Sequence, residues 1–352
     1  MPEIRLLEEN ERGKAKKLWG EAFPEDAGAF TDWYFRARFC PENCYGLFIE
    51  GELASMAQVG RERLFLNGKS LPGNLVRGVA TAKIYEGKGC ASQLLSHILQ
   101  ELAANGQALS VLKTFIHPFY RRLGYEVYSR RLVRKAEPSG GAACAIYTSL
   151  SEISDEVLEE LLNCYRSYLR GKSGYVYRDL PYLRSMLEEV MGQSGAWLLA
   201  LGAPVCAYCI AYAEAEELYA EEAVYQNKED LTRFAQAAKE QGKGFSYLCF
   251  EGQEPDAMAR AVSVQRLLEE TVCAGSACIE VIDNVIEQNA GIWKIKAGIG
   301  GVTVTKTIEP ADVSLNSGEL AVLCLGGKLP RRLPKKVSSL WKKAQTGIFE
   351  QY

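Results

Sequence analysis

Histidine is nearly absent from this chain: His97 and His117 are the only two among 352 residues. Among its eleven cysteines two close pairs occur, and neither has a matching second Cys/His pair of the kind a zinc site needs. Cys206-x-x-Cys209 falls in a predicted strand, where positions three apart face opposite sides. Cys40 and Cys44, in "FCPENC", lie in a turn and could meet. Both pairs read as structural thiols, and no metal is expected. Long apolar runs are missing too. No stretch approaches the ~20 residues of a membrane span, so no membrane partner is expected. Residues 1–20 are too charged for a signal-peptide core. With odd, scattered cysteines, this points to reduced thiols and a cytoplasmic protein. Nor is there an excess of positive charge. The net charge of −3 gives no support to a nucleic-acid partner. Basic residues crowd only in "LPRRLPKKVSSLWKK", which reads either as a solvated helix or loop or as a binding patch. Two phosphate motifs are missing as well: no Gly-Lys-Ser/Thr follows at Walker spacing, and G-x-G-x-x-G is incomplete.

What is present is ordinary globular composition, 47% hydrophobic and 24% charged, on a length that suggests two or three domains at roughly 100–200 residues each. The hydrophobic periods give an α+β order. Strand "EIRLL" and helices over 11–23 and 27–39 lead into a hairpin turning at Glu50–Glu52. "LVRGVAT" follows as a strand, 88–104 as a helix and "ALSVLKTF" as a strand. "HPFYRRLGYEVYSRRLVRKA" gives a short helix, a glycine turn and a strand. The middle of the chain repeats this order: two helices, a hairpin about Gly202, the strand "EELYAEEAVY", a helix and the strand "FSYLCF". No glycine bend precedes the second copy's last helix. From about Cys273 a small α+β unit follows, with helices "NSGELAVLCLGG" and "SSLWKKAQ". Asp312 and Ser314 are placed to cap the first of these.

One stretch carries chemistry: "GVATAKIYEGKGCASQLL", residues 78–95. A strand, a glycine bend and a helix start form an anion site, because free N–H groups and the helix dipole face the bend. Gly87 and Gly89 let backbone approach a phosphate without a Cβ between them. By itself Gly-x-Gly is equally consistent with a plain helix entry.

Val79-Ala80-Thr81 before the bend, Gly87-Lys88-Gly89-Cys90-Ala91 within it and "PFYRRLGYE" one strand later together resemble the acetyl-CoA site of the GCN5-related N-acetyltransferases (GNAT). The resemblance implies that Val79, Ala80 and Thr81 flank the pantetheine arm and that Gly87, Lys88, Gly89, Cys90 and Ala91 hold the pyrophosphate. Glu86 departs from the usual Arg or Gln. Tyr120 takes the place of the general acid that protonates the leaving thiolate, its phenol being a donor of suitable order; packing is its other role, and that of Tyr125. The motifs lie in residues 76–126, but the whole plan resembles the enhanced-intracellular-survival (Eis) family. That implies tandem GNAT folds, mixed sheets flanked by helices, over 1–145 and 146–272, with the second copy degenerate. It also implies a sterol-carrier-protein-like α+β unit over 273–352.

The same resemblance implies an acetyl-CoA cosubstrate and direct transfer to a primary amine. The acceptor would be aminoglycoside-like, a polyamine or a lysine, and the assembly a homo-oligomer, a hexamer by analogy. The α-carboxylate of Tyr352 is expected to reach the site as a base, against the alternative of a frayed tail. Asp26, Asp32 and Glu350 are acceptor-binding candidates, or solvated carboxylates. Trp33 and Tyr34 wall the pocket or pack in the core. Two other functions remain open: a non-catalytic acyl-CoA or apolar-ligand binder, and an aminoacyl-tRNA-dependent transferase.

Overall fold

A computed structural model describes residues 2–26, 28–66, 68–141, 144–192 and 195–350. In the first part β1 (Glu3–Leu6), α1 (Arg12–Ala22) and α2 (Ala29–Ala37) precede the antiparallel strands β2 (Cys44–Ile49), β3 (Glu52–Leu66) and β4 (Lys69–Thr81). Then come α3 (Cys90–Ala104), β5 (Leu109–Lys113), α4 (His117–Arg122) and β6 (Glu126–Lys135). The middle part holds β7 (Cys144–Tyr147), α5 (Asp155–Tyr168), β8 (Lys172–Ser173), β9 (Tyr175–Val176), α6 (Leu180–Gly192), β10 (Trp197–Leu201), β11 (Ala207–Glu214), β12 (Glu217–Val224), α7 (Lys228–Glu240) and β13 (Gly244–Ala261). The last part comprises α8 (Val264–Thr271), β14 (Ser276–Ile282), β15 (Gly291–Gly298), β16 (Gly301–Thr307), β17 (Val313–Asn316), α9 (Ser317–Cys324), α10 (Lys335–Ser338) and β18 (Gln345–Thr346).

The first two parts share one twelve-stranded sheet, ordered β1-β2-β3-β4-β5-β13-β12-β11-β10-β7 along its path, with β6 and β9 attached at its side. β13 is the seam. Its first residues pair parallel with β12, its last pair antiparallel with β5, and β6 runs antiparallel beside it. "FSYLCF" is thus the start of an 18-residue strand. The two copies match in detail: β4–β5 and β12–β13 are both parallel pairs following an antiparallel hairpin.

Helical spacing buries one face of α3, through Leu94, Leu95, Ile98, Leu99 and Leu102, against Val59, Val76 and Leu112 of the sheet. α1 and α2 pack Trp19, Trp33, Tyr34 and Phe35 into a second cluster. The last part is a four-stranded sheet, β16-β15-β14-β17, with α9, buried at every residue but Glu319, packed on it. Its core is continuous with Leu75, Val111 and Ala259 of the large sheet. Gly318 makes this close approach possible, because a Cβ there would meet the Glu126 backbone nitrogen at 2.4 Å. Two sequence expectations fail in this part. The final helix is Lys335–Ser338, and 341–344 is irregular. The cap of α9 is Asn316, in a capping box with Glu319. Asp312 instead accepts from the Cys278 N–H and pairs with Lys336.

Candidate functional site

The site grows out of an irregularity in β4. Met56 faces Ala80 and Gln58 faces Arg77, so one residue of β3 stands opposite two of β4. This is a β-bulge. Gly78 sits in it with φ +52, and a Cβ there would lie 2.3 Å from the Trp19 ring. Glycine is therefore required twice, by the backbone and by the indole. Beyond the bulge the sheet opens. β4 and β5 pair only over Gly73–Leu75 and Leu109–Val111, although β4 runs on to Thr81. The edge of β4 over 76–81 is left with backbone groups that β5 does not take.

A cavity of about 320 Å³ fills this wedge, lined by Trp19, Phe23, Val76–Val79, Lys113–Ile116 and Tyr120. Glu25, Asp26 and Asp256 add carboxylates to its wall, and Arg77, Lys113 and Arg131 add cations. Burial, then the neighbouring Glu25, raises the Asp26 carboxyl above its ordinary value. Arg77 donates to Glu62 at 3.0 Å, and the Lys113 ammonium lies 3.6 Å from Asp256.

Tyr120 comes from α4, which follows the wedge-lining segment 113–116 directly, and its side chain lines the cavity with that segment. The ring is buried, edge-on to Phe119 at 4.9 Å and to Tyr125 at 6.0 Å. Burial, and next the neighbouring Tyr125, pushes its phenol well above the ordinary value. Tyr125 is engaged elsewhere, its hydroxyl 2.8 Å from Ser110 Oγ. Of the two tyrosines only Tyr120 lines the cavity.

At the end of β4, Thr81 Oγ1 lies 2.9 Å from Ser55 Oγ, which also donates to the Ala80 carbonyl at 2.8 Å. Gly87 and Gly89 have φ +72 and +82, and a Cβ at either would meet nothing within 4 Å. The loop therefore presents bare backbone outward. α3 begins at Cys90, two residues later than the sequence suggests, with no side-chain cap. Glu86 and Lys88 are both exposed, and the Lys88 ammonium lies 5.5 Å from the Tyr85 ring.

The second copy is closed at the equivalent place. Asn227 caps α7 by accepting from the Asp230 N–H at 3.0 Å. The buried Asp230 carboxylate accepts from Gln226 and Asn227 N–H at 3.0 and 3.2 Å. A protein carboxylate occupies the N–H groups that an anion would need there.

Among the acceptor candidates the structure brings only Asp26 to the wedge. Asp32 is exposed and paired with Lys16 at 2.7 Å, and Trp33 packs in the core. Tyr34 is buried too, donating to Gln58 Oε1 at 2.7 Å. Glu350 belongs to a neighbouring cavity of about 100 Å³, shared with Phe30, Arg38, Arg178, Glu189 and Glu222. Its carboxylate accepts from Arg178 Nε at 2.9 Å. The tail is not frayed up to that point: Ile348, Phe349 and Glu350 are buried. Phe349 packs among Tyr168, Tyr175 and Phe250, and its carbonyl lies 3.5 Å from the wedge residue Lys113. Tyr352 lies outside the described residues. The sequence reading missed Gly78, Trp19 and Arg178. Gly78 carried a signal, a lone glycine inside a strand pattern; the other two carried none.

All eleven cysteines are free thiols. Among the described residues no group of three or more His, Cys, Asp or Glu is placed to hold a metal. No helix there is long and apolar enough to cross a membrane.

Comparison with known proteins bears on the fold. Residues 3–128 match the acetyltransferase (GNAT) domain family, and residues 255–335 the sterol carrier protein domain family. No curated protein matches the chain. A conserved protein of unknown function from Enterococcus faecalis V583, described as a probable N-acyltransferase, superposes with a TM-score of 0.83 at 19% identity, covering 100% of both chains. A GCN5-related N-acetyltransferase from Anabaena variabilis gives 0.82 at 17% identity, and Eis1 from Mycobacterium abscessus 0.76 at 16%, each again over 100% of both chains. At these identities the likeness shows a shared fold, and it extends over all three parts.

Proposed function

We propose that this chain, an acetyltransferase of the GNAT type, moves an acetyl group from acetyl-CoA directly to a primary amine in the β4/β5 wedge. One observation carries the reading: the splayed β4 and β5 strands and Tyr120 line one cavity, and the same β4 runs on into the bare Gly87–Gly89 backbone ahead of α3. The uncapped start of α3, from Lys88 to Ala91, suits the pyrophosphate. The free edge of β4 over 76–81 suits the pantetheine amides, and its N–H groups can polarise the thioester carbonyl.

Tyr120 is protonated at neutral pH, as an ordinary phenol is, and burial raises it further. It can therefore give a proton to the departing CoA thiolate as the C–S bond breaks and the new C–N bond forms. The acceptor must shed a proton to become nucleophilic. Asp26, half-buried in the wedge wall with a raised pKa, is placed to receive it directly or through water. Asp256 is taken by Lys113 and Ser129, so Glu25 and Asp26 are the wall carboxylates that favour a cationic acceptor, such as a polyamine, an aminoglycoside or a lysine side chain.

The test is release of free CoA thiol with a mixed panel of such amines. Tyr120→Phe should lower kcat roughly 10²–10⁴-fold and leave acetyl-CoA affinity close to wild type. Acetyl-CoA binding without thiol release on any amine would turn the reading towards an acyl-CoA binder, and equal kcat in Tyr120→Phe would remove the acid role.

A further inference from the structure

Midway along β4, two residues before the wedge residue Val76, Asn74 borders a second cavity, of about 260 Å³, that the proposed transfer does not use. It opens under the C-terminal end of α3. The surrounding sheet face is apolar, with Val59 and Val76 facing each other across β3 and β4. Next along, Asn74 faces Arg61. Asn74 is 1% exposed, and neither its Nδ2 nor its Oδ1 has a hydrogen-bond partner. Its neighbour on β5, Ser110, is already engaged with Tyr125. Leaving both halves of a buried carboxamide unbonded is costly, and a valine or leucine would fill the same sheet position without that cost. Three more carboxamides, Asn43, Asn105 and Gln107, stand around Asn74 in the cavity wall. Arg61, at the mouth, is exposed and makes no ion pair among the described residues. Glu42, also at the mouth, is turned to the Cys40 thiol at 2.7 Å.

We propose that this cavity is a second small-molecule site, for a planar heterocycle that pairs a donor and an acceptor with the Asn74 carboxamide and carries an anionic group to Arg61. The edge of a carboxamide is a donor beside an acceptor in one plane, which matches a lactam or amidine edge bidentately. The deep wall holds neutral groups and the guanidinium sits outside, so the ring enters and the charge stays at the rim. The volume suffices: an engineered cavity of about 150 Å³ takes a benzene ring. The site shares β4 with the wedge but none of the wedge's lining residues, so it stands whether or not the transfer reading does.

The experiment is calorimetric titration of the full chain with uracil, nicotinamide and uridine 5′-monophosphate, repeated with acetyl-CoA present. Uracil and the nucleotide are expected to bind with Kd below about 1 mM, the nucleotide about tenfold more tightly. Asn74→Leu should abolish binding of both, with a thermal midpoint equal to or above wild type. Arg61→Ala should remove only the nucleotide's advantage. Should Asn74→Leu fail to fold, Asn105→Leu at the rim replaces it, with at least a tenfold loss expected. The proposal is overturned by absence of binding for all three probes at 10 mM, which would make this a water-filled cavity. Binding that survives both the Asn74 or Asn105 change and the Arg61 change overturns it equally.

Discussion

Arg178→Met offers the sharpest test of how the tail is held. The guanidinium is fully buried and lies 4.2 Å from the Tyr165 ring centre. It donates to both oxygens of Glu222, at 2.6 and 2.7 Å, and to Glu350, at 2.9 Å from Nε and 2.8 Å from Nη2. Glu222 and Glu350 are themselves 5% and 8% exposed. Methionine fills much of the volume but leaves two buried carboxylates with no cation. Removing one partner of a buried pair costs about 3–5 kcal/mol, and here one removal strands two acids. Glu350→Gln strands nothing charged, since Arg178 keeps Glu222, and should cost about 1.5–3 kcal/mol, the worth of a hydrogen bond to a charged group. Scanning calorimetry at pH 7 should show the larger Tm drop for Arg178→Met. In the Arg178→Met background, Glu350→Gln should cost less or restore stability. The sign of the pH effect separates this from a packing defect. Unpaired buried carboxylates have raised folded-state pKa values, so protonation relieves the variant. Its deficit should shrink as pH falls from 7 towards 5. A deficit under about 1 kcal/mol, or one that grows on acidification, would refute the reasoning.

Three further outcomes follow from the site and its supports. Gly89→Val puts a branched side chain at φ +82, at a cost of roughly 1–2 kcal/mol, and covers the bare backbone; acetyl-CoA affinity by calorimetry should fall at least about tenfold, while Gly141→Ala, in an open loop, should leave it unchanged. Asp283 is buried, and although desolvation acts to raise its carboxyl, Arg260 at 2.5 Å and the Ser317 and Asn289 donors hold it below the ordinary value. A depressed folded-state pKa gives stability that is present above the unfolded value and lost as pH falls through the folded one. Asp283→Asn should therefore be less stable at pH 7 and show a shallower acid loss in Tm against pH. Asp26→Asn should raise KM for a cationic amine and shift the acid limb of kcat, both read from thiol release across pH 5–9; unchanged profiles would remove Asp26 from the acceptor's path.

Much of this was legible because two short-range codes were clean. The α3 stripe and the Glu50–Glu52 turn follow local periodicity, so they can be read one element at a time. Gly87 and Gly89 were legible as a bend because positive φ is a local demand. What the sequence hid is long-range. From the sequence only "FSYLCF" reads as a strand, and the pairing with β12 at one end and β5 at the other is what carries β13 on to Ala261 as a single seam. Arg178 looks like one arginine among many until residues 44 and 172 positions away supply its carboxylates. Asp32 and Trp33 are neighbours on one helix, yet one is solvated and the other is core, and that neither reaches the wedge is decided by how α2 docks.

The two copies also explain each other. Both have a parallel strand pair after a hairpin, and both hairpins carry an irregularity near the strand that precedes the helix, at Met56/Gln58 in one and Ile210/Ala211 in the other. What differs is who satisfies the helix start. In α7 the Asn227 side chain and the Asp230 carboxylate take the local N–H groups, a capping box that stabilises the helix by about 1 kcal/mol and removes the anion site. In α3 no side chain does so, and two glycines hold positive φ at a cost in chain entropy. That stability is forgone at one helix start and kept at the other on the same architecture. The difference lies in the turn before the helix: under the proposed function a bound phosphate would take the N–H groups at the first bend that the buried Asp230 takes at the second.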